Sequence, residues 1–174
     1  RCHRGVAYAG GDHRRHGGYK PIDVITYEDK RFYYCNCKTL NLIPSCLAAT
    51  AADRAGCQEA IFHRGDLVTE CAHSNVSIFK DGKVITHQLD DKVLPGTARI
   101  RLLAFAKKLG YGVEERDYTL DELMNADEII VHSTGSFCIP VKTVDGKPVG
   151  GKAPEMLKTI QDALVKDFEE QCKA

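Results

Sequence analysis

The segment VTECAHSNVSIFKDGKVITH, residues 68–87, predicts two short strands joined by a tight turn. The runs VSIF and VITH are rich in β-branched and aromatic residues, which strands favour. Asp81 and Gly82 lie between these runs, and this residue pair is typical of two-residue hairpin turns. The polar block ECAHSN, residues 70–75, follows a further strand candidate, LVTE, so the segment alternates strands with polar turns.

Similar strand candidates occur on both sides of this segment. They are IDVITY (22–27), RFYYCNCK (31–38), EAIF (59–62), YGVEERDY (111–118), EIIVHS (128–133) and FCIPVKTV (137–144). Helices are predicted over residues 42–55 and 97–110, after the capping-box pair Thr119 and Glu122, and from Pro154 to the end. Strands outnumber helices and several are joined by tight turns, which predicts a mixed α/β (α+β) domain rather than a doubly wound parallel sheet.

Composition predicts one soluble domain. The chain has 174 residues with 43% hydrophobic side chains, and its 24 basic and 24 acidic residues cancel. We therefore expect no binding to nucleic acid or to an anionic membrane. No apolar run reaches the roughly 18 residues of a spanning helix, and no signal-like segment opens the chain. The eight cysteines include no CxxC pair, which favours reduced thiols in the cytoplasm and no zinc site.

Residues 1–20 form a separate kind of segment. They hold five of the 15 glycines and three of the seven histidines, with no apolar periodicity. We interpret residues 1–21 as an arm and residues 22–174 as the domain. The arm histidines at positions 3, 13 and 16 could bind a metal ion, and its basic residues could bind a nucleic acid, but solvated side chains are the preferred interpretation.

Lys38 ends the strand candidate RFYYCNCK. On a strand, Phe32, Tyr34, Asn36 and Lys38 would share one face, and an inward face would place the lysine amine in a partly apolar pocket. Burial disfavours the ammonium form, and a neutral amine is a nucleophile toward aldehydes. On the residues alone, a lysine at a strand end is more often simply solvated.

Four segments together resemble the class IV pyridoxal-phosphate aminotransferases, in the family's order and at about its spacing. They are CNCKTLNLI, VTECAHSNVSIFKDGKVITH, VLPGTAR and IIVHSTGS. The resemblance covers roughly residues 22–172, and AHSN after Glu70 is closer to the D-amino-acid-specific members than to the branched-chain ones. It implies pyridoxal 5′-phosphate as cofactor, and transamination between a D-amino acid, such as D-alanine, and a 2-oxo acid.

The resemblance also implies a fold and an assembly. The matching part is the large domain of fold-type IV, a strand-rich, barrel-like core flanked by helices, in enzymes that are usually homodimers. The family's small N-terminal domain has no counterpart in this sequence.

The resemblance assigns roles around the cofactor ring. Lys38 matches the lysine that holds the cofactor as a Schiff base and moves the substrate's α-proton. Glu70 matches the glutamate that faces the pyridine nitrogen and keeps it protonated, so that the ring can accept electrons. Ser74 and Asn75 are expected to brace this turn through hydrogen bonds, and Leu94 is expected to pack on one face of the ring.

A second set of residues resembles the family's phosphate site. Gly96 lets the backbone approach closely, and the N–H groups of Thr97 and Ala98 open a helix toward an anion. Ser133 and Thr134 match a second group of phosphate contacts. Ala98 departs from the family, which often has a hydroxyl residue at this position.

The arm contains one candidate contact for the substrate. RGVAYAGGDHR resembles the family's interdomain segment, and His13 could match a histidine that helps to bind the substrate carboxylate.

Two enzyme alternatives remain, an aminodeoxychorismate lyase-like enzyme and a branched-chain aminotransferase-like enzyme. A third alternative is an inactive truncated relative that keeps only the cofactor-binding fold.

Overall fold

The computed structural model describes residues 20–173. The elements follow the order β1 (Ile22–Glu28), α1 (Ile43–Arg54), β2 (Glu59–Arg64), β3 (Leu67–Cys71), β4 (Asn75–Lys80), β5 (Lys83–Thr86), α2 (Thr97–Lys108), β6 (Gly112–Glu115), α3 (Leu120–Met124), β7 (Glu128–Ser133), β8 (Ser136–Val144), β9 (Lys147–Pro148) and α4 (Pro154–Lys173). The predicted mixture of many strands and fewer helices is confirmed. Within the described residues, no helix is long and apolar enough to cross a membrane.

One sheet contains all nine strands, in the order β3-β2-β1-β8-β7-β4-β5-β6, with β9 paired to β8. The pairs β2–β3, β4–β5 and β7–β8 are antiparallel, whereas β1 is parallel to both of its neighbours. The predicted hairpin at Asp81–Gly82 is confirmed, with φ of 49° and 75° at these two residues. Positive φ at both central residues is the geometry that a tight hairpin turn requires.

The two ends of the sheet approach each other. Leu67 of β3 forms an isolated bridge with Thr119, which follows β6, and the Val68 N–H donates to the Tyr118 carbonyl at 3.0 Å. Because β3 and β6 are the opposite edges of the strand order, this contact curls the sheet toward closure. The predicted barrel-like architecture is confirmed.

Hydrophobic residues fill both faces of this curled sheet. Val76 and Ile78 of β4 lie in the cluster inside the curl, whereas Phe79 belongs to a second cluster that α2 and α4 cover. Ala48 of α1 packs with Phe62 in a third cluster. The small side chains of α1 allow this helix to lie close to β2, and this packing fixes where the loop before α1 rejoins the sheet.

The predicted strand over residues 31–38 is wrong. The chain leaves β1 at Glu28 and forms a loop until Ile43, with Tyr34 at a φ of 70°. Asp29 accepts a hydrogen bond from the Arg31 N–H at 3.0 Å, and the Cys35 N–H donates to the Asp91 carbonyl at 2.8 Å. These contacts turn the backbone away from the sheet, so the aromatic run does not alternate between two faces.

Candidate functional site

A cleft of about 350 Å³ opens between the loop before α1, the turn from β3 to β4, the start of α2 and the end of β7. Ten residues singled out from the sequence line it: Lys38, Glu70, Ser74, Asn75, Leu94, Gly96, Thr97, Ala98, Ser133 and Thr134. The fold therefore brings together four segments that are far apart in the chain. His13 lies outside the described residues.

Glu70 is the most firmly held of these side chains. It is buried at the end of β3 and accepts hydrogen bonds from Arg31 Nη1 at 2.5 Å, from Asn75 Nδ2 at 3.0 Å and from the Leu94 N–H at 3.0 Å. Burial raises the pKa of the Glu70 carboxyl above its usual value, and the charge and hydrogen bond of Arg31 offset part of this effect. The three donors fix the position of a carboxylate in the cleft wall.

Arg31 is a site residue that the sequence analysis missed. Its guanidinium donates to both oxygens of Asp29, each at 2.9 Å, and to the Lys92 carbonyl at 3.1 Å, and it lies over the Phe62 ring at 4.5 Å from the centroid. Burial raises the pKa of Asp29, but hydrogen bonds and charge from Arg31 outweigh burial and leave the pKa below its usual value. Arg31 is thus an ionised bridge between two buried carboxylates.

Asn75 connects Glu70 to the loop before α2. Its amide nitrogen donates to the Leu94 carbonyl at 2.9 Å as well as to Glu70. A Cβ at Gly96 would lie 2.1 Å from Asn75 Oδ1, so only glycine lets the backbone pass this side chain. Ser74 Oγ donates to Glu59 Oε2 at 3.3 Å, which braces the same turn from the other side.

The start of α2 has backbone N–H groups without an acceptor in the helix. Gly96 is the N-cap and makes no side-chain capping bond, and the first intrahelical bond runs from the Ile100 N–H to the Gly96 carbonyl at 3.1 Å. The N–H groups of Thr97 and Ala98 therefore have no acceptor within the helix. Thr97 Oγ1 and Thr134 Oγ1 lie 2.9 Å apart, so hydroxyls from α2 and from the end of β7 meet beside these donors.

Lys38 lies in the loop before α1 rather than on a strand, and its side chain is exposed. A strand would have carried its amine toward an apolar pocket, but these residues form a loop and the side chain is solvated, as a lysine at a strand end most often is. Lys38 lines the same cleft as Glu70. Sequence periodicity misplaced Lys38 locally, although the family resemblance pointed to this cleft.

His132, also missed from the sequence, forms part of the cleft wall beside Asn75, its partner in the β4–β7 register. Its Nε2 pairs with Ser77 Oγ at 2.9 Å, and its Nδ1 is buried with no hydrogen-bond partner among the described residues. Burial lowers the pKa of His132 to about 3, and the charge of Arg99 acts in the same direction. The ring is therefore neutral in the folded protein at physiological pH.

These residues fit a phosphorylated pyridine aldehyde. A fixed carboxylate suits a protonated ring nitrogen, free N–H groups and hydroxyls suit a phosphate, and a lysine amine suits an aldehyde. At Gly96 a Cβ would collide with Asn75 Oδ1, so glycine is required where the backbone passes Asn75 and enters α2. The set of donors and acceptors matches the three parts of pyridoxal phosphate.

Comparison with known proteins points to the same chemistry. Residues 15–144 match the family described as amino-transferase class IV. The chain is 41% identical over 150 residues to a D-alanine aminotransferase from Listeria monocytogenes, which covers 86% of this chain and 52% of that protein. It is 37% identical over 159 residues to a D-alanine aminotransferase from Staphylococcus aureus, which covers 91% of this chain and 55% of that protein. The chain spans about half the length of these relatives.

Solved structures match the fold. A fold IV-transaminase from Curtobacterium pusillum gives a TM-score of 0.78 at 24% identity, over 92% of this chain and 57% of that one. A branched-chain amino acid aminotransferase from Thermobaculum terrenum in its PLP form gives a TM-score of 0.76 at 25% identity, over 83% of this chain and 50% of that one. The predicted fold type is confirmed by these neighbours.

Replacement of Gly96 by alanine tests the close contact between Gly96 and Asn75. The new Cβ would displace Asn75, whose amide is bonded to both Glu70 and the Leu94 carbonyl, so we expect the free energy of unfolding to fall by about 1–3 kcal/mol. Denaturant unfolding measures this change. The control is Gly112→Ala, whose Cβ would lie 2.7 Å from Lys83 Cγ, an exposed side chain that can move, so its effect should be smaller. Equal losses in the two variants would contradict a special role for the contact between Gly96 and Asn75.

Replacement of Arg31 by glutamine tests the ionised bridge. Without Arg31, burial of Glu70 is no longer offset, so we expect the pKa of the Glu70 carboxyl to rise further. A raised carboxyl pKa means that the folded state holds this proton more tightly than the unfolded state. The free energy of unfolding should therefore fall as pH rises between the unfolded and folded pKa, over a wider window in the variant.

The readout for Arg31→Gln is the carboxyl ¹³C shift of Glu70, assigned with Glu70→Gln and followed against pH. The control is Arg64→Gln, because Arg64 Nε also contacts Asp29, at 3.1 Å, but its other partners are the Arg31 carbonyl and Cys35 Sγ rather than Glu70. The same Glu70 titration in both variants would show that Arg31 does not set the state of this carboxyl.

Proposed function

Because the chain belongs to the class IV aminotransferases, we propose that it is the cofactor-binding part of a pyridoxal-phosphate-dependent enzyme that transfers the amino group of a D-amino acid, such as D-alanine, to a 2-oxo acid. The observation that carries this proposal is the convergence of Lys38, Glu70 and the start of α2 on one cleft. The identity to D-alanine aminotransferases supports the D-amino acid as substrate.

Lys38 is proposed to attach the cofactor and to move the proton. Pyridoxal phosphate, when bound, supplies an aldehyde that condenses with amines and a ring that accepts electrons. Lys38 is exposed and lines the cleft, so it would be the residue that holds the aldehyde of the cofactor. With the cofactor bound, the Lys38 amine would be the general base that accepts the α-proton of the substrate and later gives it back.

Glu70 is proposed to face the ring nitrogen. Its carboxylate favours a protonated nitrogen, and that charge strengthens the ring as an electron acceptor. Asn75 and the Leu94 N–H both bind Oε2, and Arg31 binds Oε1, so the carboxylate cannot rotate away from the cleft. Leu94, half-buried in the cleft wall, is proposed to pack against one ring face.

The phosphate is proposed to lie at the start of α2. The N–H groups of Thr97 and Ala98 and the positive end of the helix favour a dianion there. Thr97, Ser133 and Thr134 add hydroxyl donors from two elements of the fold. Ala98 is buried and lacks a hydroxyl, so its contribution is the backbone amide alone.

The surface beside Lys38 is proposed to be covered in the whole enzyme. Phe32, Tyr34, Leu40 and Ile43 are 74%, 74%, 94% and 71% exposed, and all but Ile43 belong to the loop that carries Lys38. Such a concentration of apolar side chains is typical of an interface. We propose that the rest of the protein and a second copy in a homodimer cover it, and so enclose Lys38.

The cytoplasm is proposed as the location, since Cys35, Cys37, Cys46, Cys57, Cys71 and Cys138 are free thiols. His13 remains a proposed contact of the substrate carboxylate on the family resemblance alone.

A branched-chain amino acid is the second substrate candidate, supported by the similarity to branched-chain aminotransferase structures.

Trapping of the cofactor tests the proposed site. The chain is mixed with pyridoxal phosphate, reduced with borohydride and digested, and the modified lysine is located by mass spectrometry. We expect one main adduct, on Lys38, which disappears in Lys38→Ala and persists in the control Lys147→Ala, an exposed lysine on β9. Adducts spread over many surface lysines would contradict the site.

Turnover then separates the remaining alternatives. Release of pyruvate from D-alanine with a 2-oxo acid, lost in Lys38→Ala, supports the D-amino acid enzyme. Faster reaction with L-leucine favours the branched-chain alternative, and pyruvate released from aminodeoxychorismate favours the lyase. An adduct on Lys38 without any turnover identifies a cofactor-binding unit that depends on the rest of the enzyme.

A further inference from the structure

A second cluster of ligand-type side chains lies outside the cleft. His87 directly follows β5, Asp90 lies three residues further along, and Asp117 lies in the connection between β6 and α3. The ligand atoms of all three residues lie within 4.8 Å of one another. Because the residues are up to 30 positions apart, no short sequence motif joins them, and the sequence alone predicted no metal site.

The hydrogen bond on one side of His87 defines the chemistry on the other side. His87 is 1% exposed, and its Nδ1 lies 2.9 Å from the Val68 carbonyl. A carbonyl only accepts, so Nδ1 carries a proton, and Nε2 is the ring atom that faces the two carboxylates. Nε2 lies 3.1 Å from Asp90 Oδ2 and 3.6 Å from Asp117 Oδ1. One ring nitrogen and two carboxylate oxygens thus converge on one place, where the Lys92 ammonium also contacts Asp90 Oδ2.

We propose that His87, Asp90 and Asp117 bind a divalent transition-metal ion of the zinc type. Zinc bonds to imidazole nitrogen and carboxylate oxygen are about 2.0–2.2 Å long. Two such ligand atoms on one ion, at angles of about 95–120°, lie about 3.1–3.6 Å apart. The two distances from Nε2 agree with this geometry. Asp117 is about half exposed, so water can complete the coordination.

Each proposed ligand is held by a neighbour. The Val68 carbonyl orients the His87 ring, the Lys92 N–H donates to Asp90 Oδ1 at 2.8 Å, and Gln88 Nε2 donates to Asp117 Oδ1 at 3.1 Å. Such outer contacts fix the direction of the ligand atoms and are typical of protein metal sites. They reduce the conformational entropy that the side chains would lose on binding an ion.

Two of the cationic groups nearby, Arg99 and Arg116, have carboxylate partners outside the cluster, and a third, Lys92, contacts a proposed ligand. Arg99, which donates to the His87 carbonyl, is paired with Glu115 at 2.9 Å, and Arg116 is paired with Glu122 at 2.7 Å. The Lys92 ammonium contacts Asp90 Oδ2 and also lies 3.8 Å from Asp91. A metal ion would replace this ammonium on Asp90, and Lys92 would keep Asp91 as its partner.

The ion would tie two loops together. The loop of residues 87–96 carries the Lys92 carbonyl that Arg31 binds and the Leu94 N–H that Glu70 binds. Asp117 belongs to the separate segment beside the closing bridge at Thr119. A metal at this place would therefore stabilise the barrel closure and the loop behind the cleft at the same time.

Titration of the metal-free chain with Zn²⁺ tests this proposal, with calorimetry for stoichiometry and thermal unfolding for the effect on stability. Pyridoxal phosphate is left out, so the result does not depend on the proposed enzyme function. We expect one saturable site and a raised melting temperature. Co²⁺ should bind the same site and give visible ligand-field bands that Zn²⁺ displaces.

Two variants identify the ligands, a third is a carboxylate control, and a fourth excludes the arm. Asp117→Asn, a change at a half-exposed position, should weaken Zn²⁺ binding at least tenfold, as should His87→Gln if that variant folds. Asp121→Asn, an exposed carboxylate on α3, should bind as the unchanged chain does. Removal of the arm histidines, His3, His13 and His16, should also leave the site intact.

The proposal is overturned if no saturable site is found, or if Asp117→Asn binds Zn²⁺ as tightly as the unchanged chain. It is also overturned if Zn²⁺ leaves the melting temperature unchanged while ¹H NMR shows a protonated His87 ring held between the two carboxylates. In that case a proton, rather than a metal ion, is the cation at this place.

Discussion

The buried ion pair between Arg31 and Glu70 is the interaction on which the cleft depends. It joins the loop after β1 to the end of β3, and the same carboxylate receives the Leu94 N–H from the loop before α2. Removal of one partner from such a pair leaves a buried charge, which typically costs about 3–5 kcal/mol. Asp29 pairs with both Arg31 and Arg64, so charges of alternating sign follow one another along this wall.

The rest of the cleft follows from the position of Glu70. Asn75 binds Glu70 and the Leu94 carbonyl together, and Gly96 passes so close to Asn75 that the entry into α2 is fixed. The free N–H groups at the start of α2 are thereby held at a set distance from the carboxylate. A rigid cofactor with a charged group at each end needs a fixed distance between the groups that bind its two ends. The nearly closed sheet holds the Glu70 carboxylate and the start of α2 at such a distance.

Sequence patterns predicted turns and helix ends correctly where interactions between neighbouring residues determine the structure. The Asp81–Gly82 turn and the capping box at Thr119 and Glu122 both form as the sequence indicated. The prediction failed over residues 31–38, because the contacts of Asp29 with Arg31 turn a strand-like run into a loop. The cleft residues came from a family resemblance rather than from periodicity. Arg31 and His132, like the cluster at His87, depend on contacts between distant segments, which no local pattern records.

The protonation state of the cofactor's ring nitrogen tests the central claim most directly. Pyridoxal phosphate labelled with ¹⁵N in the ring is bound to the chain, and its ¹⁵N chemical shift is followed at neutral pH. If Glu70 is an ionised carboxylate facing the ring, the nitrogen is protonated, and Glu70→Gln shifts the signal to that of the neutral ring. An unprotonated nitrogen in the unchanged chain, or a signal that Glu70→Gln leaves in place, would contradict the role of Glu70 and with it the arrangement of the cleft.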